Sequence, residues 1–223
     1  MSYFTQDFLD FLTELKQNNS KAWFDENRKR YEASVKQPFQ DFVRLMIARI
    51  QEENPDLYTT PRESIFRINR DIRFSKDKTP YKTDRSAFIV DGGKKNKSKP
   101  GIHFSFSADV VLFHAGVFMP EREMLSTIRH GIATDPKGFR DVIESPDFVK
   151  RFGELRGEQM KRLPANLKEA HSKEPYIANK SFYVKTEMPP EVLLTADLPD
   201  KIMHNYQFSR PLTDFLGSIM QPA

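Results

Sequence analysis

Residues 67–85 read RINRDIRFSKDKTPYKTDR. From position 64 to 74, apolar and polar residues alternate with a period of two, and this alternation predicts a half-buried strand. The residues of apolar parity are Phe66, Ile68, Ile72 and Phe74. Arg70 falls on the same parity, so either a bulge rotates its side chain outwards or the side chain reaches from the sheet towards a partner.

The segments that follow predict a sheet built from consecutive strands. Residues 75–85 are expected to form a loop, since their Asp, Lys and Thr-Pro sequence is typical of turns. Further strands are predicted at residues 86–90, 102–108, 110–118 and 180–185. Because most of these strands follow one another through loops rather than helices, we expect an antiparallel meander.

Helical patterns flank the strands on both sides. Helices are predicted around residues 5–17, after Ser20, and from Pro38, where apolar residues recur at i, i+3, i+4 and i+7. The helix starts after the strands are Pro120, Asp135-Pro136 and Ser145-Pro146, and Pro211 separates two C-terminal helical pieces. The expected fold is α+β, with N-terminal helices, a central antiparallel sheet (meander) and C-terminal helices, in a single domain over residues 1–223.

Composition excludes several classes of chemistry. The chain has no cysteine, so disulfides, thiolate nucleophiles and sulfur-ligated metal clusters are ruled out. Hydrophobic residues make up 38% with 19 Phe, enough for a sizeable core, and 30% of the residues are charged. The sequence shows no secretory leader and no apolar run long enough to span a membrane. We therefore expect a water-soluble, cytoplasmic protein without a membrane partner, and its oligomeric state is not predicted.

The charge distribution indicates an anionic partner. The net charge is only +4, yet residues 67–99 contain eleven Lys or Arg against four Asp. A local positive field of this kind suits a phosphorylated small molecule or a nucleic acid, although charge runs also occur as solvated faces.

The candidate site lies in the basic stretch itself. Guanidinium groups match phosphate or carboxylate oxygens in a bidentate way, lysines add point charges, and hydroxyl groups donate neutral hydrogen bonds. The predicted ligand-binding residues are Arg67, Arg70, Arg73, Ser75, Lys76, Lys78, Tyr81 and Lys82. The alternative is a structural or interaction module, in which Asp71, Asp77 and Asp84 neutralise these cations and the ion pairs fix the loop. The sequence leaves both possibilities open.

An enzymatic role for the same cations is a further alternative. A hydrolase or transferase could use them to stabilise negative charge, with Asp71, Asp77 or His103 transferring protons. Residues 92–95, Gly-Gly-Lys-Lys, lack the spacing of a phosphate-binding loop and are interpreted as a solvated hairpin tip or a lysine-rich lid. The histidines lack a metal-binding spacing, so no metal site is predicted, and the sequence leaves the cofactor unknown.

A second group of basic and aromatic residues precedes the long helical stripe. Its members are Trp23, Phe24, Arg28, Lys29, Arg30 and Tyr31. They could stack on nucleic-acid bases, but they are more typical of one amphipathic helix with a buried aromatic face.

Four motifs carry a resemblance to a known family. They are NNSKAWF (residues 18–24), INRDIRFSKDKTPYKT (68–83), Pro100-Gly101 and Lys180-Ser181-Phe182. With them the chain resembles the microbial family catalogued as domain of unknown function 2461. The motifs span most of the chain, so the resemblance implies one domain; it implies no activity. The chain departs from the family pattern at His114-Ala115-Gly116, where similar proteins usually have a run of glycines.

Overall fold

The computed structural model describes residues 2–220. Along the chain, helices come before and after the strands of a four-stranded sheet, and further helices lie between the third and fourth strands. The helices are α1 (Gln6–Gln17), α2 (Lys21–Glu26), α3 (Arg28–Arg30), α4 (Gln37–Glu53), α5 (Pro61–Ser64), α6 (Arg122–Thr134), α7 (Pro136–Ile143), α8 (Pro146–Phe152), α9 (Lys168–Lys173) and α10 (Leu198–Met220). The strands are β1 (Asp84–Ile89), β2 (Gly101–Ser107), β3 (Val111–Val117) and β4 (Phe182–Met188), and they lie in the order β1-β2-β3-β4 as an antiparallel meander. The predicted α+β fold class is confirmed.

The described residues divide into two compact units. The first comprises residues 2–95, 103–113 and 187–204, and the second comprises residues 96–102, 114–186 and 205–220. The single domain expected over residues 1–223 stays a prediction, and positions 1 and 221–223 lie outside the described residues. Within residues 2–220, no helix combines the length and the apolar character that crossing a membrane requires.

Phenylalanines build the core of the first unit. Phe42 of α4 packs edge-on against Phe104 and Phe106 of β2, with ring centroids 5.6 and 5.3 Å apart. Phe39 and Phe4 contact Phe106 at 5.5 Å each, and all five rings are buried. Each such ring stabilises the fold by about 1.5–3 kcal/mol through removal of apolar surface from water.

The helix predicted to begin at Pro38 is instead continuous with the segment before it. Residues 31–36 form a π-helix, in which the amide of Gln37 donates to the carbonyl of Glu32, five residues earlier. Proline lacks an amide hydrogen and clashes with the carbonyl four residues before it, which normally breaks an α-helix. The wider π-helical turn accommodates Pro38, so the chain stays helical into α4.

The strand predicted over residues 64–74 is wrong. Thr60 caps the short helix α5, and the following backbone pairs with residues 80–87 only through isolated bridges, Ile65 to Ala87 and Asn69 to Tyr81. Between these two bridges lie four residue steps from Ile65 to Asn69 but six from Tyr81 to Ala87, so the pairing is bulged. Beyond Arg70 the chain turns into an exposed loop, because aspartate side chains there bond the local backbone and compete with strand pairing.

In the second unit, local capping signals are borne out. Asp135 accepts a hydrogen bond from the amide of Gly138 at 2.8 Å, and Ser145 accepts one from Phe148 at 3.4 Å. These caps begin α7 and α8 at the predicted positions. Pro120 does not start α6, whose N-cap is Glu121.

The break predicted at Pro211 does not occur, because α10 runs through this proline. Leu212 and Leu216 are buried on one side of the helix, and their packing maintains it across the hydrogen bond that proline cannot make.

At Gly116, the backbone of β4 leaves no room for a side chain on β3. Its φ is +134°, and a Cβ atom placed there would lie 2.1 Å from the carbonyl oxygen of Phe182. The residue that this chain keeps from the glycine-rich pattern is therefore the one that the backbone geometry requires.

Candidate functional site

A cleft of about 740 Å³ opens in the first unit. Its lining includes Arg67 and Tyr81 from the basic stretch, together with Tyr31, Glu32 and Lys36 from the π-helical turn. The other lining residues are Phe24, Arg28, Gln40, Pro61, Arg62, Ile65, Phe66, Ile68, Asn69, Arg85 and Lys94. The cleft therefore draws on the N-terminal helices, α5, the bulged pairing and the loop after β1.

The charge of this lining is strongly positive. The cations are Arg28, Lys36, Arg62, Arg67, Arg85 and Lys94, and the one acid in the lining is Glu32. Glu32 accepts a hydrogen bond from Lys36 at 2.7 Å, and Arg28 pairs with Asp25. Among the described residues, no carboxylate lies within ion-pair distance of Arg62, Arg67 or Arg85.

Arg85 is the most unusual member of the cleft, because it is a buried cation without an anion. Only 3% of its surface is exposed, its Nη1 donates to the carbonyl of Phe66 at 3.2 Å, and its Nε has no hydrogen-bond partner within residues 2–220. Its guanidinium lies 5.4 Å from the ring centroid of Phe39 and 6.0 Å from that of Tyr31. Burial lowers the pKa of Arg85, and Tyr31 and Asp84 only partly oppose this effect. Arginine nevertheless stays protonated, so the cleft contains a desolvated positive charge.

Lys94 is fixed at the cleft by its contacts with α5. Its Nζ donates to the carbonyls of Arg62 at 2.8 Å and Glu63 at 3.0 Å, and burial lowers its pKa. A Cβ atom on Gly93, whose φ is +80°, would lie 2.9 Å from the Cβ of Glu63, so the loop packs tightly on this helix. Of the two interpretations of residues 92–95, neither a freely solvated tip nor a loose lid describes this part of the loop.

Tyr81 is held in place by a residue from the turn between α1 and α2. The side chain of Asn19 donates to the carbonyl of Tyr81 at 2.9 Å and accepts from its amide at 3.0 Å. The Tyr81 ring stacks on Phe24 with centroids 4.0 Å apart. Two of the motifs that carried the family resemblance, residues 18–24 and 68–83, thus contact each other directly.

Most of the predicted ligand-binding residues lie outside the cleft, in a loop formed by residues 70–79. We call it the Phe74 loop. Arg70 pairs with Asp77 and donates to Thr79, and its side chain is only 25% exposed. Arg73 donates to both carboxylate oxygens of Asp71, at 2.9 and 2.7 Å. The other predicted residues in the loop are Ser75, Lys76 and Lys78, of which Lys78 donates to the carbonyl of Ile72 at 2.9 Å.

Lys82 lies neither in the cleft lining nor in the Phe74 loop, but near His103, one of the predicted proton-transfer groups. Its Nζ lies 5.1 Å above the ring of Phe66, and that ring packs edge-on against His103. Burial lowers the pKa of His103 to about 4; Asp84 opposes this effect and Lys82 adds to it. Ser105 donates to Asp84 at 2.8 Å beside them.

None of the three predicted proton-transfer groups is a lining residue of the cleft. Arg73 holds the pKa of Asp71 at about 2, and bonds from Thr79 and Arg70 hold that of Asp77 at about 2. Both carboxylates are therefore ionised at neutral pH. Within the described part of the chain, no group of three His, Asp or Glu residues is arranged to hold a metal ion.

The predicted ligand-binding set omitted five cations of the cleft lining, which are Arg28, Lys36, Arg62, Arg85 and Lys94. Arg85 had a usable signal, since a charged residue near the start of a mostly buried strand is an exception that needs an explanation. Arg28 was noted only as a member of the second basic and aromatic group, and Arg62 had no signal, because exposed arginines on helices are common.

Comparison with known proteins gives one family match. Residues 7–215 match the family described as conserved hypothetical protein (DUF2461). The chain belongs to this family. No curated protein and no solved structure matches it. Membership in DUF2461 covers nearly the whole chain and agrees with the resemblance drawn from the four motifs, but it brings no ligand or reaction with it.

Proposed function

We propose that this DUF2461 protein binds a phosphorylated small molecule in the basic cleft. The observation that carries the proposal is Arg85, a buried guanidinium that lines the cleft without an anionic partner among the described residues. An isolated buried charge costs several kcal/mol, and it is kept where a ligand of opposite charge completes it. A phosphate group supplies two charges and oxygens that suit a guanidinium fork.

The size and lining of the cleft support a small molecule. Ligand sites commonly occupy about 300–1,000 Å³ and combine an apolar lining with a few polar groups, and this cleft falls within that range. Arg62 and Arg67 are further cations without carboxylate partners in the described chain, so the ligand we expect carries more than one anionic oxygen. A cytoplasmic location remains part of this proposal.

Isothermal titration calorimetry with pyrophosphate, sugar phosphates and nucleoside phosphates tests the proposal. Arg85→Met should weaken the best ligand by at least about tenfold, since a charge-assisted hydrogen bond to phosphate is lost. Arg44→Met is the matched control, because Arg44 is an exposed α4 residue that pairs with Asp41 outside the cleft. Binding by Arg85→Met at wild-type affinity, or no binding of any phosphate compound by the wild type, would refute the proposal.

The hydrolase or transferase alternative stays a prediction with its own test. Turnover of a phosphoester that Asp71→Asn abolishes would support it, whereas binding without turnover would leave the protein as a binding module. The geometry supports binding more directly, because the three proton-transfer candidates lie outside the cleft lining.

A further inference from the structure

Phe74 is a large apolar side chain that lies almost wholly in solvent. It is 95% exposed, more than any other large hydrophobic residue of the described chain, and it lies in the loop that joins the two sides of the bulged pairing. A single exposed hydrophobic residue is ordinary on a protein surface. The setting of Phe74 is not ordinary, because side-chain hydrogen bonds order the loop around it and the loop carries a positive charge.

Side-chain bonds fix the backbone on both sides of the ring. Asp71 accepts from the backbone amide of Arg73 at 3.3 Å, Asp77 accepts from that of Thr79 at 2.9 Å, and Arg70 joins Asp77 to Thr79. The loop therefore presents Phe74 from a backbone that is already ordered, which lowers the entropic cost of using the ring in binding.

The same bonds leave the surface of the Phe74 loop positive. Its four basic residues are Arg70, Arg73, Lys76 and Lys78, and both of its acids are engaged with arginines inside the loop. Lys76 and Lys78 of the same loop are exposed, and the guanidinium of Arg73 lies 5.8 Å from the Phe74 ring centroid. The loop therefore combines one exposed aromatic ring with exposed cationic side chains.

We propose that the Phe74 loop binds single-stranded nucleic acid, with the Phe74 ring stacked on a base and the exposed Lys76 and Lys78 contacting backbone phosphates. Proteins that bind single strands without sequence preference stack bases on aromatic side chains beside a positively charged surface, and each stacked base contributes about 1–3 kcal/mol. A protein groove or a membrane surface requires several apolar anchors, and within residues 70–79 Phe74 is joined only by the half-buried Ile72. A duplex keeps its bases stacked on each other and offers the ring no free base face.

Fluorescence anisotropy with a labelled twelve-residue oligothymidylate tests this inference on the full chain. Phe74→Ala should weaken binding at least about tenfold at constant salt, and Phe74→Trp should retain it. Tyr58→Ala is the matched control, since Tyr58 is an aromatic residue that is 75% exposed outside the loop. Lys76→Ala should reduce the salt dependence, because one phosphate contact is removed.

Because the Phe74 side chain is exposed, the alanine variant is expected to melt as the wild type does, so lost binding would not reflect unfolding. Equal affinity of wild type and Phe74→Ala for the oligonucleotide would overturn the inference, as would the absence of binding. Preference for a duplex of equal length or for phosphatidylserine vesicles would also overturn it. The inference does not rest on the cleft: if Arg85→Met lost oligonucleotide binding and Phe74→Ala kept it, the cleft would be the nucleic-acid site and the loop would not.

Discussion

Arg85 is expected to lower the stability of the first unit while it contributes to the proposed binding of an anion. A guanidinium that is 3% exposed loses most of its hydration, and here it regains one bond to the Phe66 carbonyl and two aromatic neighbours. These contacts orient the side chain but supply no negative charge. A purely structural position of this kind would be filled at lower cost by a long apolar side chain.

Arg85→Met should therefore leave the free energy of unfolding within about 1 kcal/mol of the wild type, or raise it. Arg140→Met provides the contrast, because Arg140 donates to both carboxylate oxygens of Glu174, at 2.6 and 2.9 Å, and that carboxylate is buried. Its removal leaves a buried carboxylate unpaired and should cost about 3 kcal/mol. Urea unfolding followed by circular dichroism measures both, and a loss at Arg85 as large as that at Arg140 would assign Arg85 to the fold.

At the scale of elements, the basic stretch of residues 67–85 divides into three parts that lie in different surroundings. The bulged pairing and Arg85 contribute to the cleft, the Phe74 loop is closed by its own ion pairs, and Lys82 lies beside His103. The π-helical turn has a comparable role, since it supplies Tyr31, Glu32 and Lys36 to the cleft while it accommodates Pro38. Departures from regular strand and helix thus coincide with the candidate site.

The Arg70 side chain is expected to stabilise the Phe74 loop rather than to bind phosphate. Arg70→Ala should lower the free energy of unfolding by about 1–2 kcal/mol, because a partly buried charge-assisted network with Asp77 and Thr79 is lost. Arg73→Ala removes a pair whose arginine is 75% exposed, so its effect on the free energy of unfolding should be clearly smaller than that of Arg70→Ala. Chemical unfolding and phosphate calorimetry on both variants provide the check. Lost phosphate affinity in Arg70→Ala with unchanged stability would place the ligand at the loop instead.

Across the whole molecule, features that depend on neighbouring residues were predictable and those that depend on distant ones were not. The caps at Asp135 and Ser145 and the meander follow from local patterns. The strand at residues 64–74 failed because side-chain bonds of Asp71 and Asp77 outweigh an alternating pattern. The sequence marks Arg85 as an exception near the start of a mostly apolar strand, but its burial could not be predicted, since it depends on rings that lie about fifty residues earlier in the chain.

Acid unfolding of the whole chain should separate two sets of groups by their pH windows. Burial lowers the pKa of His103 from 6.5 to about 4, so below pH 6.5 the unfolded chain takes up a proton that the folded chain does not. The corresponding stability is fully present above pH 6.5 and is lost as the pH falls towards 4. The pKa values of Asp71 and Asp77 are lowered from 3.8 to about 2 by their bonded neighbours, so the stability that these two groups contribute is lost as the pH falls from 3.8 to 2.

His103→Gln should therefore reduce the pH dependence of the free energy of unfolding between pH 6.5 and 4 and leave it unchanged between pH 3.8 and 2. Asp71→Asn should reduce it in the lower range and leave it unchanged in the upper range. An NMR titration of the His103 ring should give a midpoint near pH 4, and a midpoint at or above 6.5 would contradict the burial argument.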